Sequence, residues 1–198
     1  MNSFLDILEK RRSIYGLDKN ISISPERIQQ IAECAVKHTP SAFNSQSARI
    51  VILFNMRHKF LWDTAKDILK KNIPAEAFSK TEQKLDAFQA AAGTILFFDD
   101  ISIVSNLQNK FPLYKENFPI WSQQSNGMLQ SNIWIALAAE GVGASLQHYN
   151  PLIDDAIKTE FNIDKNWNLI AQMPFGNPIS LPSEKEFISI AERVRVFN

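Results

Sequence analysis

Apolar residues in this chain fall into two patterns. Unbroken short runs read as buried strands: Ile50-Val51-Ile52-Leu53-Phe54, which Arg49 opens, then Thr94-Ile95-Leu96-Phe97-Phe98 and Leu169-Ile170-Ala171-Gln172-Met173. Ala144-Ser145-Leu146-Gln147 reads as a shorter one. Between them, apolar residues recur at helical spacing: Phe4, Leu5 and Leu8; Ile28, Ile31, Ala32 and Ala35; Leu61, Ala65 and Ile68; Leu85, Phe88 and Ala92; Ile153, Ile157 and Phe161. The longest predicted helix runs from about Ser122 to Glu140. Its centre, Ile133 to Ala139, is apolar all round and calls for burial on most sides, by this chain or by a partner subunit.

Punctuation residues sharpen the boundaries. Ser24-Pro25-Glu26 is a helix start, and Thr39-Pro40 a stop. Ser79 and Glu82 have capping-box spacing, with Gly93 as the matching stop. Asn150-Pro151 reads as the cap of a later helix, and Pro174-Phe175-Gly176 as the end of the third long strand. Residues 100–122 read as helical pieces and loop, an arm or lid. The alternation from Arg193 to Phe197 reads as an edge strand. There is no repeat and no flexible linker, so one domain over residues 1–198 is expected. Helices between strands imply a sheet covered on both faces, an α+β or α/β sandwich.

Composition narrows the function classes. The net charge is zero, which gives nucleic acid or a membrane surface no electrostatic handle. No apolar run reaches the roughly 18–20 residues of a membrane span. The first residues lack the basic-then-apolar order of a secretory signal, and the one cysteine, Cys34, excludes an intrachain disulfide; a cytoplasmic protein is expected. Cys34 is read as a buried, inert thiol. His38, His58 and His148 are scattered without acidic company, so no metal site is expected. Asp99-Asp100 reads as the cap of the next helix.

Four short segments carry candidate chemistry, each with a plain structural alternative. Arg11-Arg12-Ser13 offers guanidinium forks and a hydroxyl to a phosphate, or is the solvated basic end of a helix. Arg193 and Arg195 share one face of an extended segment, which suits one dianion or protects an edge. Ser41, Asn44 and Gln46, in Pro40-Ser-Ala-Phe-Asn-Ser-Gln46, supply donors and acceptors for the polar edge of a flat heterocycle, or form a turn. Gly141 and Gly143 let backbone approach a ligand, or end a helix.

Taken in order, these segments resemble the FMN-dependent nitroreductase family. Arg11-Arg12-Ser13 is similar to its opening phosphate motif and Pro40 to Gln46 to its Pro-Ser-x-x-Asn-x-Gln loop. Gly141-Val-Gly143 resembles its glycine turn, and Arg193-x-Arg195 its C-terminal basic pair. The strings His38 to Arg49, Phe118-Pro-Ile-Trp-Ser122 and Leu146-Gln-His-Tyr-Asn-Pro151 resemble the subgroup named for a yeast fatty-acid-repression mutant, which includes a bacterial copper-induced nitroreductase. Two departures stand out: Tyr15 occupies a position where many relatives carry Arg or Lys, and Ser47-Ala48 replaces the common Pro-Trp.

The resemblance implies a three-layer α/β/α sandwich of the α+β class. Its mixed, mainly antiparallel sheet is flanked by helices, with the long helix at a homodimer interface. FMN would lie at that interface. Arg11, Arg12, Ser13, Arg193 and Arg195 would serve its phosphate end, Ser41, Asn44 and Gln46 its ring from across the interface, and Leu146, Gln147, His148 and Tyr149 the length of the ring. The implied activity is ping-pong: NAD(P)H gives a hydride to flavin N5, departs, and a nitroaromatic or quinone acceptor takes its place. No side chain is assigned as nucleophile or base. Phe43, Trp121 and Tyr149 are candidates to shape the acceptor pocket, with a core role as the alternative for each. A flavin-binding stress or lipid-response regulator with little turnover is the alternative function.

Overall fold

The computed structural model describes residues 3–197. Its helices and strands are α1 (Phe4–Lys10), β1 (Leu17–Asp18), α2 (Pro25–His38), β2 (Ala48–Phe54), α3 (Asn55–Asn72), α4 (Ala75–Gln89), β3 (Gly93–Asp100), α5 (Ile101–Lys110), α6 (Phe118–Ala139), β4 (Gly143–Ala144), α7 (Asp154–Glu160) and β5 (Trp167–Pro178). The five-stranded sheet runs β1-β5-β3-β2, with β4 also on β5. Every ladder between these strands is antiparallel; a single parallel bridge joins Ser13 to Ala144.

The unbroken apolar run of β3 is explained by burial on both faces. Successive strand side chains point to opposite sides, so Ile95 and Phe97 join one core and Leu96 and Phe98 the other, all at 0% exposure. The first core is closed by Ile28, Ile31 and Ala32 of α2 and by Leu129, Ile133 and Leu137 of α6. The second is closed by Leu61, Trp62 and Ala65 of α3, Leu85 and Phe88 of α4, and Ile157 of α7. Each such side chain contributes about 1.5–3 kcal/mol when fully buried. A register shift beside Phe97 and Phe98 leaves Ile170 unpaired on β5, yet keeps Ala171 and Leu169 on the faces of their partners. The three-layer α+β sandwich expected above is the observed fold.

Several boundaries differ from the sequence reading. One helix, α4, starts directly after Pro74, so Ser79 and Glu82 lie inside it and cap nothing. Gly93 opens β3 instead of stopping a helix; a Cβ there would meet Phe175 Cζ at 2.6 Å and the Leu53 carbonyl at 2.7 Å. β5 passes through Pro174, whose carbonyl still accepts from the Ser145 N–H (3.3 Å), and continues to Pro178. Asn150-Pro151 is a cis bond and caps nothing; α7 begins only at Asp154, with Asp154 and Asp155 in its first turn. β2 is an edge strand and only half-buried. Residues 193–197 form no strand: they pair with none of the described strands and are exposed. Cys34 is exposed, on the outer side of α2. Other expectations hold. Ser24 caps α2 through the Arg27 N–H, and Asp100 caps α5 through the Ser102 N–H. No described helix is long and apolar enough to cross a membrane.

A polar chain runs through the second core. Trp62 Nε1 donates to Thr94 Oγ1 (3.0 Å), the Thr94 hydroxyl serves His58 Nδ1 (2.9 Å), and His58 Nε2 serves the Gln89 carbonyl (3.1 Å). That network assigns the proton to Nε2. Burial is the main influence on the imidazole and lowers its pKa, against hydrogen bonds to Gln89 and Phe88 that raise it. The unfolded chain binds this proton near about pH 6.5 and the folded chain only at lower pH. The stability from neutral His58 is therefore complete above about pH 6.5 and is lost as pH falls from there through the folded value. Urea unfolding is expected to show a smaller loss between about pH 7.5 and 5.5 for His58→Gln than for the wild type. Equal losses would assign the acid sensitivity to other groups.

Candidate functional site

The loop after α2 is held from behind by α6. Ser125 Oγ donates to the Pro40 carbonyl (2.8 Å), and Asn132 Nδ2 to Thr39 Oγ1 (2.9 Å). Ala42–Asn44 then makes one tight turn. Phe43, Asn44 and Gln46 have φ of 55°, 50° and 50°. Left-handed backbone costs an L-residue about 1–2 kcal/mol, with Asn the most tolerant. The strain at Phe43 and Gln46 therefore has to be offset by tertiary contacts. Ser41 Oγ accepts the Gln46 N–H (3.0 Å) and keeps its own O–H for another acceptor. The Asn44 and Gln46 side chains are exposed.

Two grooves flank this loop. One, of about 440 Å³, is lined by Thr39, Ser41, Gln46, Ala48, Arg49 and Ser125 among others. The other, of about 360 Å³, is lined by Ser41, Phe43, Trp121, Gln124, Ser125 and Met128 among others. Phe43 projects from the strained turn onto the arm at 111–121. Its ring lies 4.9 Å from Phe111, 5.3 Å from Phe118 and 6.3 Å from Trp121, the last nearly parallel. Phe43 is 51% exposed and Phe118 2%. The cluster thus has a buried root and an open aromatic face.

The basic motif forms a separate cradle. Arg11, Arg12 and Ser13 line a pocket of about 340 Å³ with Ser180, Ser183 and Lys185, and no carboxylate lines it. Arg11 stacks 4.4 Å over the Trp134 ring, and Arg12 Nη2 donates to the Ser183 carbonyl (2.6 Å). Neither arginine belongs to an ion pair among the described residues. Partial burial, and secondarily the charge of Arg12, lower the Arg11 pKa from its ordinary value. Glu9 and Glu184 line an adjoining groove with the same two arginines but do not pair with them, so two neighbouring guanidiniums are left suited to an anion.

Segment 143–149 runs beside this cradle. The Ile14 N–H donates to the Ala144 carbonyl (2.9 Å). Gly143 is fixed by packing: a Cβ there would meet Leu17 Cδ2 at 2.9 Å and Pro178 Cγ at 3.0 Å. Gly141, at φ 78°, follows the end of α6. Both glycines therefore serve the turn. Gln147 exchanges backbone bonds with Gln172 (2.7 and 2.9 Å) and is buried, whereas His148 is exposed. Of the two roles named for Tyr149, its packing within this chain is that of a core residue. Its ring packs edge-on to Trp62 (5.7 Å) and lies 6.5 Å from Phe88, within the second core and not with Phe43 and Trp121. Burial raises its phenol pKa. Its N–H donates to Gln172 Oε1 (2.7 Å), so Tyr149 anchors the end of the segment.

Within one chain the predicted residues fall into two groups. Arg11, Arg12 and Ser13 adjoin the 143–149 segment, while Ser41, Asn44 and Gln46 gather with Phe43 and Trp121. The cradle and the loop grooves share no lining residue. Arg193 and Arg195 lie in the exposed tail and line neither. Lys185, Ser180 and Ser183, which do line the cradle, escaped the sequence reading, since Ser180-Leu-Pro-Ser-Glu-Lys185 carries no motif of its own.

Comparison with known proteins places the chain among its relatives. The profile of the Nitroreductase family matches residues 8–177. HBN1 of Saccharomyces cerevisiae is 36% identical over 198 residues, covering 99% of this chain and 97% of that protein. The nitroreductase FRM2 of the same yeast is 33% identical, with 94% of each chain covered. The nitroreductase CinD of Lactococcus lactis, solved in complex with chloramphenicol, superposes with a TM-score of 0.91 at 43% identity, covering 99% of this chain and 100% of CinD. The chain belongs to the nitroreductase family, a family of oxidoreductases.

Proposed function

We propose that this chain is an FMN-dependent NAD(P)H oxidoreductase that reduces nitroaromatic or quinone-type acceptors, acting as a cytoplasmic homodimer. The observation that carries the reading is the cradle of Arg11, Arg12, Ser13 and Lys185, a cationic pocket without a carboxylate, beside a segment fixed by backbone bonds. Its chemistry fits a phosphate. The nearby solved structures of CinD, in complex with chloramphenicol and with 4-nitrophenol, support aromatic nitro compounds as acceptors.

In this reading Arg11, Arg12 and Ser13 hold the FMN phosphate, with Arg193 and Arg195 of the tail as further cations. Ser41, Asn44 and Gln46 meet the polar edge of the ring, and Leu146 to Tyr149 run along it, partly through backbone groups. Bound FMN supplies the hydride chemistry, in two alternating half-reactions between NAD(P)H and the acceptor. The protein supplies orientation and an apolar wall: Phe43 and Trp121 offer an aromatic face to a flat acceptor. A second copy is called for because the cradle and the loop are separate within one chain. Trp134, Ile135 and Ala136 of α6 are also only half-buried, and Phe4, Leu5 and Leu8 of α1 are exposed.

Purified protein is expected to be yellow, or to become yellow with added FMN, and to oxidise NADH or NADPH faster when 4-nitrophenol is supplied. Protein that stays colourless in excess FMN would overturn the reading. Slow turnover with every acceptor, despite bound FMN, would favour a sensor.

A further inference from the structure

Arg49 is the first residue of β2 to follow Ala48, and it closes a circuit around the strained loop. Gln46, left-handed at φ 50°, is held at both ends. Its N–H donates to Ser41 Oγ (3.0 Å), and its carbonyl accepts from Arg49 Nη1 (2.6 Å). The same Nη1 donates to the Ala48 carbonyl (3.0 Å). Arg49 Nη2 reaches Asp100 Oδ2 (3.2 Å), and the guanidinium lies 5.7 Å from the Trp167 ring centroid. Asp100 in turn caps α5 with its other oxygen, accepting from the Ser102 N–H (3.1 Å) and hydroxyl (2.6 Å). Just past α5, Phe111 meets Phe43 of the loop at 4.9 Å.

We propose that Arg49 is a positioning residue that fixes the Pro40–Gln46 loop for the flavin ring and couples that loop, through Asp100, to the aromatic arm over the acceptor face. The proposal rests on the reading of the loop as a flavin contact. Arg49 acts through Gln46 and Ser41. With the Gln46 backbone held, Ser41 keeps its O–H aligned for a ligand acceptor. The role needs a planar fork: two carbonyls and a carboxylate are served from one guanidinium. A lysine keeps the charge but cannot keep all three partners in those directions.

The test compares wild type, Arg49→Met and Arg49→Lys. It measures FMN affinity by quenching of flavin fluorescence, the visible bands of bound FMN at saturation, and the Tm of FMN-free protein. Arg49→Met is expected to weaken FMN binding on the order of 10- to 100-fold, as loss of an outer-shell support does. It is also expected to shift the visible bands of the flavin that remains bound. Arg49→Lys is expected to show the same band shift with a smaller loss of affinity, and it serves as the test if the Met variant does not fold. A lowered Tm with unchanged affinity and bands would make Arg49 merely structural and overturn the proposal. Failure of the wild type to take up FMN would overturn the flavin reading itself, and this proposal with it.

Discussion

Replacing Arg11 and Arg12 together by alanine is expected to abolish useful FMN binding while leaving the fold intact. Hydrogen bonds to charged groups contribute about 1.5–3 kcal/mol each. Two guanidiniums withdrawn from one phosphate therefore remove about 3–6 kcal/mol, or roughly 10²- to 10⁴-fold in affinity. No carboxylate lines the cradle itself, and Glu9 and Glu184, which share an adjoining groove with the same arginines, form no ion pair with them, so most of the lost interaction falls on the ligand. Both arginines are only partly buried. The stability loss should be small and come mainly from the Arg11–Trp134 stack, about 0.5–2 kcal/mol. Flavin fluorescence titration reads the first effect and circular dichroism the second. Stoichiometric FMN retained by the double variant would mean that the phosphate lies elsewhere. Lys185→Ala and Arg195→Ala then identify the third cation. A loss with Lys185→Ala alone gives a grip built from the cradle, and a loss with Arg195→Ala brings in the tail.

Trp62→Ala is expected to cost about 3–5 kcal/mol of stability, the range for deleting a buried aromatic side chain. Trp62 is 0% exposed, packs 4.9 Å from Phe88 and 5.7 Å from Tyr149, and donates to Thr94. Against a typical total of about 5–15 kcal/mol, that is a large fraction. Trp62→Phe keeps most of the ring contacts and leaves only the Thr94 hydroxyl short of a donor, so it should cost clearly less. Urea unfolding of FMN-free protein measures both; a cost below about 1 kcal/mol for the alanine variant would contradict the packing described. The change also reaches the site, because Trp62 and Phe88 hold Tyr149, which ends the 143–149 segment beside the cradle.

The order of helices and strands was legible in the sequence wherever burial is periodic. β3 and the caps at Ser24 and Asp100 are examples, because one side-chain pattern or one capping oxygen suffices to specify them. Errors came where a local signal lost to a tertiary one. Ser79 looks like a cap, but Phe78, Leu85 and Phe88 bury one continuous face from Ala75 onward. Pro174 looks like a stop, but Phe175 fills the core between β3 and β4.

The sequence by itself determined the chemistry on offer: two adjacent cations and a hydroxyl, a polar loop with a Phe at its tip, and an arm rich in aromatic residues. These are properties of residue type and order. Only the tertiary structure decided how they are shared out. It set Lys185 and not Arg195 beside Arg11 and Arg12, packed Tyr149 against the second core, and gave the Gln46 carbonyl to Arg49. The reason is physical. Which polar groups meet depends on strand register and helix docking, and those are fixed by apolar side chains far along the chain from the groups they bring together.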